Sequence, residues 1–130
     1  MLNLRTGVDL IEINRLTDLT PNIRRRFLER VFTPLELEQC GQSDARLAGR
    51  FAAKEAVAKT LGTGIGKIGW KDVEIENDES GAPQLRLLGR AAQIARELNL
   101  NVWSISISHS KTHAVAMAVA VSSMEEQNLE

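Results

Sequence analysis

The stretch from Arg50 to Gly66, RFAAKEAVAKTLGTGIG, constrains the fold more than any other part of the chain. Alanine and leucine dominate it, and both favour helix. On a helical wheel begun at Leu47, Leu47, Phe51 and Ala58 share one side, and Ala48, Ala52 and Ala56 lie further round. Glu55 and Lys59 project from among these small and apolar residues. A carboxylate within a core-facing stripe is costly unless it is paired or holds a metal. The helix therefore has to lie against a surface that answers Glu55.

Candidates for that surface come from the ends of the chain. Residues 4–13 alternate as a strand, with Val8 and Leu10 on one face and Gly7, Asp9, Ile11 and Ile13 on the other. Residues 102–109 and 113–121 read as a hairpin closed by Ser110, Lys111 and Thr112. One face of this hairpin carries Ser104, Ser106 and Ser108, and its second strand carries Ala114, Ala116, Ala118 and Ala120. Both rows are small enough for the long helix to approach. The expected fold is α+β, a long helix packed on a small antiparallel sheet, in one domain over residues 1–121 with a polar tail over 122–130.

Between these parts, residues 21–30 predict a short basic helix opened by Pro21. Thr33, Pro34 and Glu36 supply the N-cap, the proline and the acidic first turn of another helix, ending at Cys40 before Gly41. Ser43 or Asp44 caps the long helix, which ends near Leu61 before Gly62. A glycine loop spans 62–69. Residues 70–76 and QLRLL pair as short strands across the turn NDESGAP, and 89–98 form an amphipathic helix.

The chain of 130 residues carries 16 basic and 17 acidic side chains. A net charge of -1 argues against general nucleic-acid binding, which needs a basic footprint. The lone Cys40 rules out an intrachain disulfide. No apolar run is long enough to cross a bilayer, and the first residues lack the pattern of a signal peptide, so a soluble cytoplasmic protein is expected.

Two inward carboxylates, Asp9 and Glu55, must separate, share a proton or hold a cation. Oxygen ligands suit Mg²⁺, which relies on one or two carboxylates plus substrate phosphates. The alternative is a structural ion network with Arg50, Lys54 and Lys59 as partners. Those three cations, within about three turns of one helix, also suit phosphate. The glycine loop lacks the Ser or Thr of a nucleotide-binding loop after Lys67, and by itself reads as a helix stop. His109 ends a strand and could bind an anion beside Lys111, while His113 faces solvent. Arg15, Arg24, Arg25, Arg26 and Arg30 concentrate positive charge that could steer an acidic protein.

Four motifs in order then name a family. GVDLIEINR (7–15), RFAAKEAVAK (50–59), GTGIG (62–66) followed by WKDVE (70–74), and SISHSK (106–111) resemble the holo-acyl-carrier-protein synthases, the short class of phosphopantetheinyl transferases. RFLERVFTPLE (26–36) is similar to theirs as well. The resemblance implies transfer of 4'-phosphopantetheine from coenzyme A to a serine of apo-acyl carrier protein, releasing adenosine 3',5'-bisphosphate, in fatty acid biosynthesis.

It also implies Asp9 and Glu55 as Mg²⁺ ligands, and coenzyme A contacts from Arg50, Lys54, Lys59, Pro83 and His109. Lys59 would stabilise the leaving phosphate, and Glu55 or a metal-bound water would take the serine proton. Longer relatives place a further carboxylate two residues after the first Asp. Here Ile11 stands there, as in the short class, so water fills that position. The arginine patch would dock the acidic carrier. The family implies a homotrimer with sites between subunits, Asp9, Glu55 and the long helix coming from one and His109 and Pro83 from its neighbour. The competing reading is a non-enzymatic module that binds an acidic protein or RNA; a third is a Mg²⁺-dependent phosphohydrolase.

Overall fold

Small side chains on both surfaces let the long helix settle onto the sheet at close range. The computed structural model describes residues 2–123. In order these form β1 (Leu4–Glu12), α1 (Asn14–Thr17), α2 (Pro21–Val31), α3 (Pro34–Cys40), α4 (Asp44–Leu61), β2 (Val73–Asn77), β3 (Pro83–Leu87), α5 (Gly89–Glu97), β4 (Val102–His109) and β5 (His113–Val121). From residue 124 onward, the polar tail expected over 122–130 lies outside the described residues.

Two antiparallel sheets result, one ordered β1-β5-β4 and the other the β2-β3 hairpin. The helix α4 packs on β1 and β5. Ala114, Ala116, Ala118 and Ala120 are all buried beneath it. Register places Gly7 opposite Ala118, Asp9 opposite Ala116 and Ile11 opposite Ala114. At Gly7 strand and helix come close. A Cβ there would fall 2.0 Å from the Ala56 carbonyl oxygen and 2.5 Å from Thr60 Oγ1, so only glycine fits.

The serine row does not meet the helix. Ser104, Ser106 and Ser108 pair with Val119, Met117 and Val115 on the opposite face and are exposed. Size made the two rows look alike, but hydroxyls buried against a helix need partners that alanine does not. That outer face also exposes Leu4, Val8, Leu10, Val102 and Met117.

The caps follow the sequence. Thr33 and Glu36 form a capping box at α3, Ser43 rather than Asp44 caps α4, and Gly62 ends α4 in the left-handed region at φ 77°. The strand expected from Trp70 begins only at Val73, because Trp70–Asp72 is a 3-10 turn. Trp70 stacks on Phe51 with ring centroids 4.9 Å apart, and the Asp72 carboxylate accepts from Gly69 N. Pro83 is the first residue of β3, opposite Asn77, where a strand tolerates proline.

Candidate active site

Asp9 and Glu55 meet at the edge of the β1–α4 contact. Lys59 Nζ donates to Asp9 Oδ1 at 3.0 Å and to the Val8 carbonyl at 3.0 Å. The Lys59 side chain is 51% exposed and that of Asp9 17%. Glu55, one turn before Lys59, is half-buried and has no hydrogen-bond or ion-pair partner among the described residues. Burial raises its carboxyl pKa above the usual range. The Asp9 charge raises it further, and Lys59 and Arg15 oppose the shift.

A half-buried carboxylate with no donor, beside a second carboxylate, offers oxygen ligands only. That donor set fits a hard dication of the Mg²⁺ type, which takes one or two protein carboxylates and completes its shell elsewhere. Among the described residues no three His, Cys, Asp or Glu side chains gather, so the protein share would be these two.

The charges that α4 truly buries are others. Lys54 and Glu36 are both 0% exposed, with Nζ 2.7 Å from Glu36 Oε1. Lys54 also donates to the carbonyls of Trp70 at 3.0 Å and Val73 at 2.5 Å. An ammonium has three protons and all three are used, so the expectation that Lys54 meets a phosphate fails in this geometry. Burial pushes its pKa down, while Glu36 pulls it back. Arg50 is 4% exposed and donates to the Ile75 carbonyl and, at 3.1 Å, to Gln39 Oε1. Nothing in the helical wheel marked Lys54 and Arg50 as inward, because their partners Glu36, Gln39 and β2 come from elsewhere in the chain.

Arg50 nevertheless reaches a cavity of about 360 Å³ that brings it together with Pro83 and His109, as well as Arg46 and Ile107. Pro83 and His109 thus share one cavity. Arg50 stands with them in the same chain, whereas the resemblance put α4 with Asp9 and Glu55 in one subunit and Pro83 and His109 in its neighbour. Sequence reasoning missed Arg46. The available signal was its position four residues before Arg50, which puts both on one helical face.

Of the docking arginines, Arg24 is committed internally. It pairs with Asp44 at 2.6 Å and donates to the Leu16 carbonyl at 3.2 Å. Arg15, Arg25, Arg26 and Arg30 are exposed, Arg25 lying 3.8 Å from Glu29. The patch is therefore four residues wide, and Arg24 fastens its helix.

The family model of the 4'-phosphopantetheinyl transferase superfamily matches residues 5–119. The chain belongs to this superfamily. Its curated relatives in that superfamily include the holo-[acyl-carrier-protein] synthase of Herpetosiphon aurantiacus, 46% identical over 125 residues that cover 91% of this chain and 98% of the relative. The fold is similar to the Helicobacter pylori holo-[acyl-carrier-protein] synthase in complex with coenzyme A. That likeness has a TM-score of 0.80 at 31% identity, covering 88% of this chain and 98% of that one. The Bacillus anthracis synthase, in complex with CoA (3',5'-ADP), gives a TM-score of 0.76 at 36% identity, covering 95% and 100%. Among the described residues no helix is long and apolar enough to cross a membrane.

Proposed function

We propose that the chain transfers the 4'-phosphopantetheine group of coenzyme A to a serine of apo-acyl carrier protein, acting in the cytoplasm with Mg²⁺. The observation that carries this reading is the unpartnered Glu55 carboxylate beside Asp9 and Lys59, in a chain of the transferase superfamily. The serine oxygen would form a bond to the phosphorus next to pantetheine. The bond from that phosphorus to the bridging oxygen would break, and adenosine 3',5'-bisphosphate would leave. Such transfers depend mainly on positioning and charge stabilisation.

Asp9 and Glu55 would hold Mg²⁺, which when bound neutralises charge on the diphosphate. Lys59, exposed at the same edge, would turn its ammonium from Asp9 to the leaving phosphate. Glu55, or a water on the metal, would take the serine proton. Arg15, Arg25, Arg26 and Arg30 would steer the acidic carrier onto α1 and α2. Arg26→Ala should raise the KM for carrier while leaving that for coenzyme A nearly unchanged, and added salt should weaken the carrier interaction.

The site is read as shared between subunits of a homotrimer. At ~100° per residue, Arg50 and Lys59 leave α4 about 180° apart, as do Arg46 and Glu55. One donor molecule reaches both sets only if a second copy brings its cavity to the first copy's carboxylates. The exposed row of Leu4, Val8, Leu10, Val102 and Met117 supports such association. Mass spectrometry of apo-carrier protein after incubation with the chain, coenzyme A and Mg²⁺ tests the reaction, with gain of one phosphopantetheine on serine expected. Coexpressing His109→Ala and Glu55→Gln chains tests the sharing. Activity should return in the mixture, and its absence would argue for a site complete within one copy.

A further inference from the structure

The cavity that joins Arg50, Pro83 and His109 carries an imbalance of charge. Arg46 and Arg50 stand one turn apart on its wall, with Gly49 between them, and no carboxylate lines it. Like charges at this spacing repel each other. Arg46 also lies in the first turn of α4, the end of a helix where the backbone dipole disfavours a cation. Two separate features thus make Arg46 unfavourable in the empty protein, and an anion entering beside it offsets both, by meeting the paired positive charges and the positive end of the helix.

The other cations are engaged. The Arg50 guanidinium is bound to Ile75 and Gln39, and the Lys54 ammonium is saturated inside the core. Arg46 is exposed, and its guanidinium makes no hydrogen bond or ion pair with any described residue. Its planar fork matches the oxygens of a phosphate monoester.

We infer that Arg46 is a specificity-determining residue that reads the ribose 3'-phosphate of the donor, setting the preference for coenzyme A over its 3'-dephosphorylated form. This rests on the transferase reading. Coenzyme A carries two phosphate groups, a diphosphate and a ribose monoester. On that reading the diphosphate would lie at the carboxylates and Lys59, where Asp9 and Glu55 would hold the dication. Arg46 lies in the other part of the shared site, with Pro83 and His109. Its cavity has no carboxylate to hold a metal, so the monoester is what remains for it. Pro83 and Ile107 supply apolar wall for the adjoining base.

The test is calorimetric titration of adenosine 3',5'-bisphosphate and adenosine 5'-monophosphate into the wild-type chain, Arg46→Gln and Arg46→Lys. A charge-assisted contact predicts that wild type favours the bisphosphate by about tenfold or more. In Arg46→Gln this preference should collapse through loss of bisphosphate affinity alone, and Arg46→Lys should restore part of it. Retention of the full preference in Arg46→Gln overturns the inference, as does an equal loss for both nucleotides or no preference in wild type. Titration needs no turnover, so a chain that binds these nucleotides but modifies no carrier would end the transferase reading while still deciding the role of Arg46.

Discussion

Two lysines of one helix, five residues apart, each meet a carboxylate, and they could hardly differ more. Lys54 and Glu36 are closed off from water, 2.7 Å apart, and every proton of the ammonium has an acceptor. Lys59 and Asp9 sit 3.0 Å apart at the rim, with half of the lysine side chain exposed. A buried pair loses little to solvent screening but is costly to break, because the survivor is stranded. An exposed pair contributes little and can exchange partners. The same chemistry thus serves as a fastening in the core and as a releasable contact at the site.

The largest effect expected from breaking this contrast is on the core pair. Lys54→Met should destabilise the protein by about 3–5 kcal/mol, measured by urea denaturation, because Glu36 is left charged and buried. Glu36→Gln added to it should recover most of the loss. Recovery stops short, since Glu36 also accepts from Thr33 N and Ile75 N.

Glu55→Gln comes next. It should lower carrier modification by about 100-fold or more, read by mass spectrometry. Its stability effect has the opposite sign. The folded pKa of Glu55 is raised by burial and Asp9. The wild-type protein is therefore most stable with this carboxyl protonated, below the unfolded pKa, and loses that stability as pH rises through the folded pKa. The variant should melt higher than wild type at neutral pH without metal, and the difference should vanish in acid. A variant that melts lower at neutral pH would contradict the assigned burial.

The smallest effect belongs to the rim pair. Lys59→Met should change stability by less than ~1 kcal/mol. It also removes the ammonium that occupies Asp9, so the nucleotide-free chain should bind Mg²⁺ more tightly by calorimetry even as transfer slows. Unchanged or weaker Mg²⁺ binding would mean that Lys59 does not compete for Asp9.

Elements and caps were legible because they depend on neighbours in the chain. Thr33 with Glu36, Gly62 after Leu61, and the alternation of β1 each declare themselves within a few residues. The burial of particular charges was not, since α4 is enclosed on most of its circumference, with 12 of its 18 residues buried. A wheel without a broad polar face cannot say which charged side chain points at a distant acid. It favoured Glu55 and Lys59, whereas Lys54 and Arg50 go deeper. Glu36 was read correctly as the acid of the first turn of α3, but its pairing with Lys54 needed α3 and α4 to be side by side. The serine and alanine rows failed for a related reason, as size alone does not distinguish a face that accepts a helix from one that does not.

The missing side chain at Gly7 has a last consequence. It lies two residues before Asp9, and the carbonyl it admits belongs to Ala56, the neighbour of Glu55. This close spot between strand and helix therefore works as a gauge block directly behind the two acids, setting how far apart they stand. Any bulk inserted there would wedge the pair open, so tolerance at the reacting edge is inherited from a single absent methyl group in the interior.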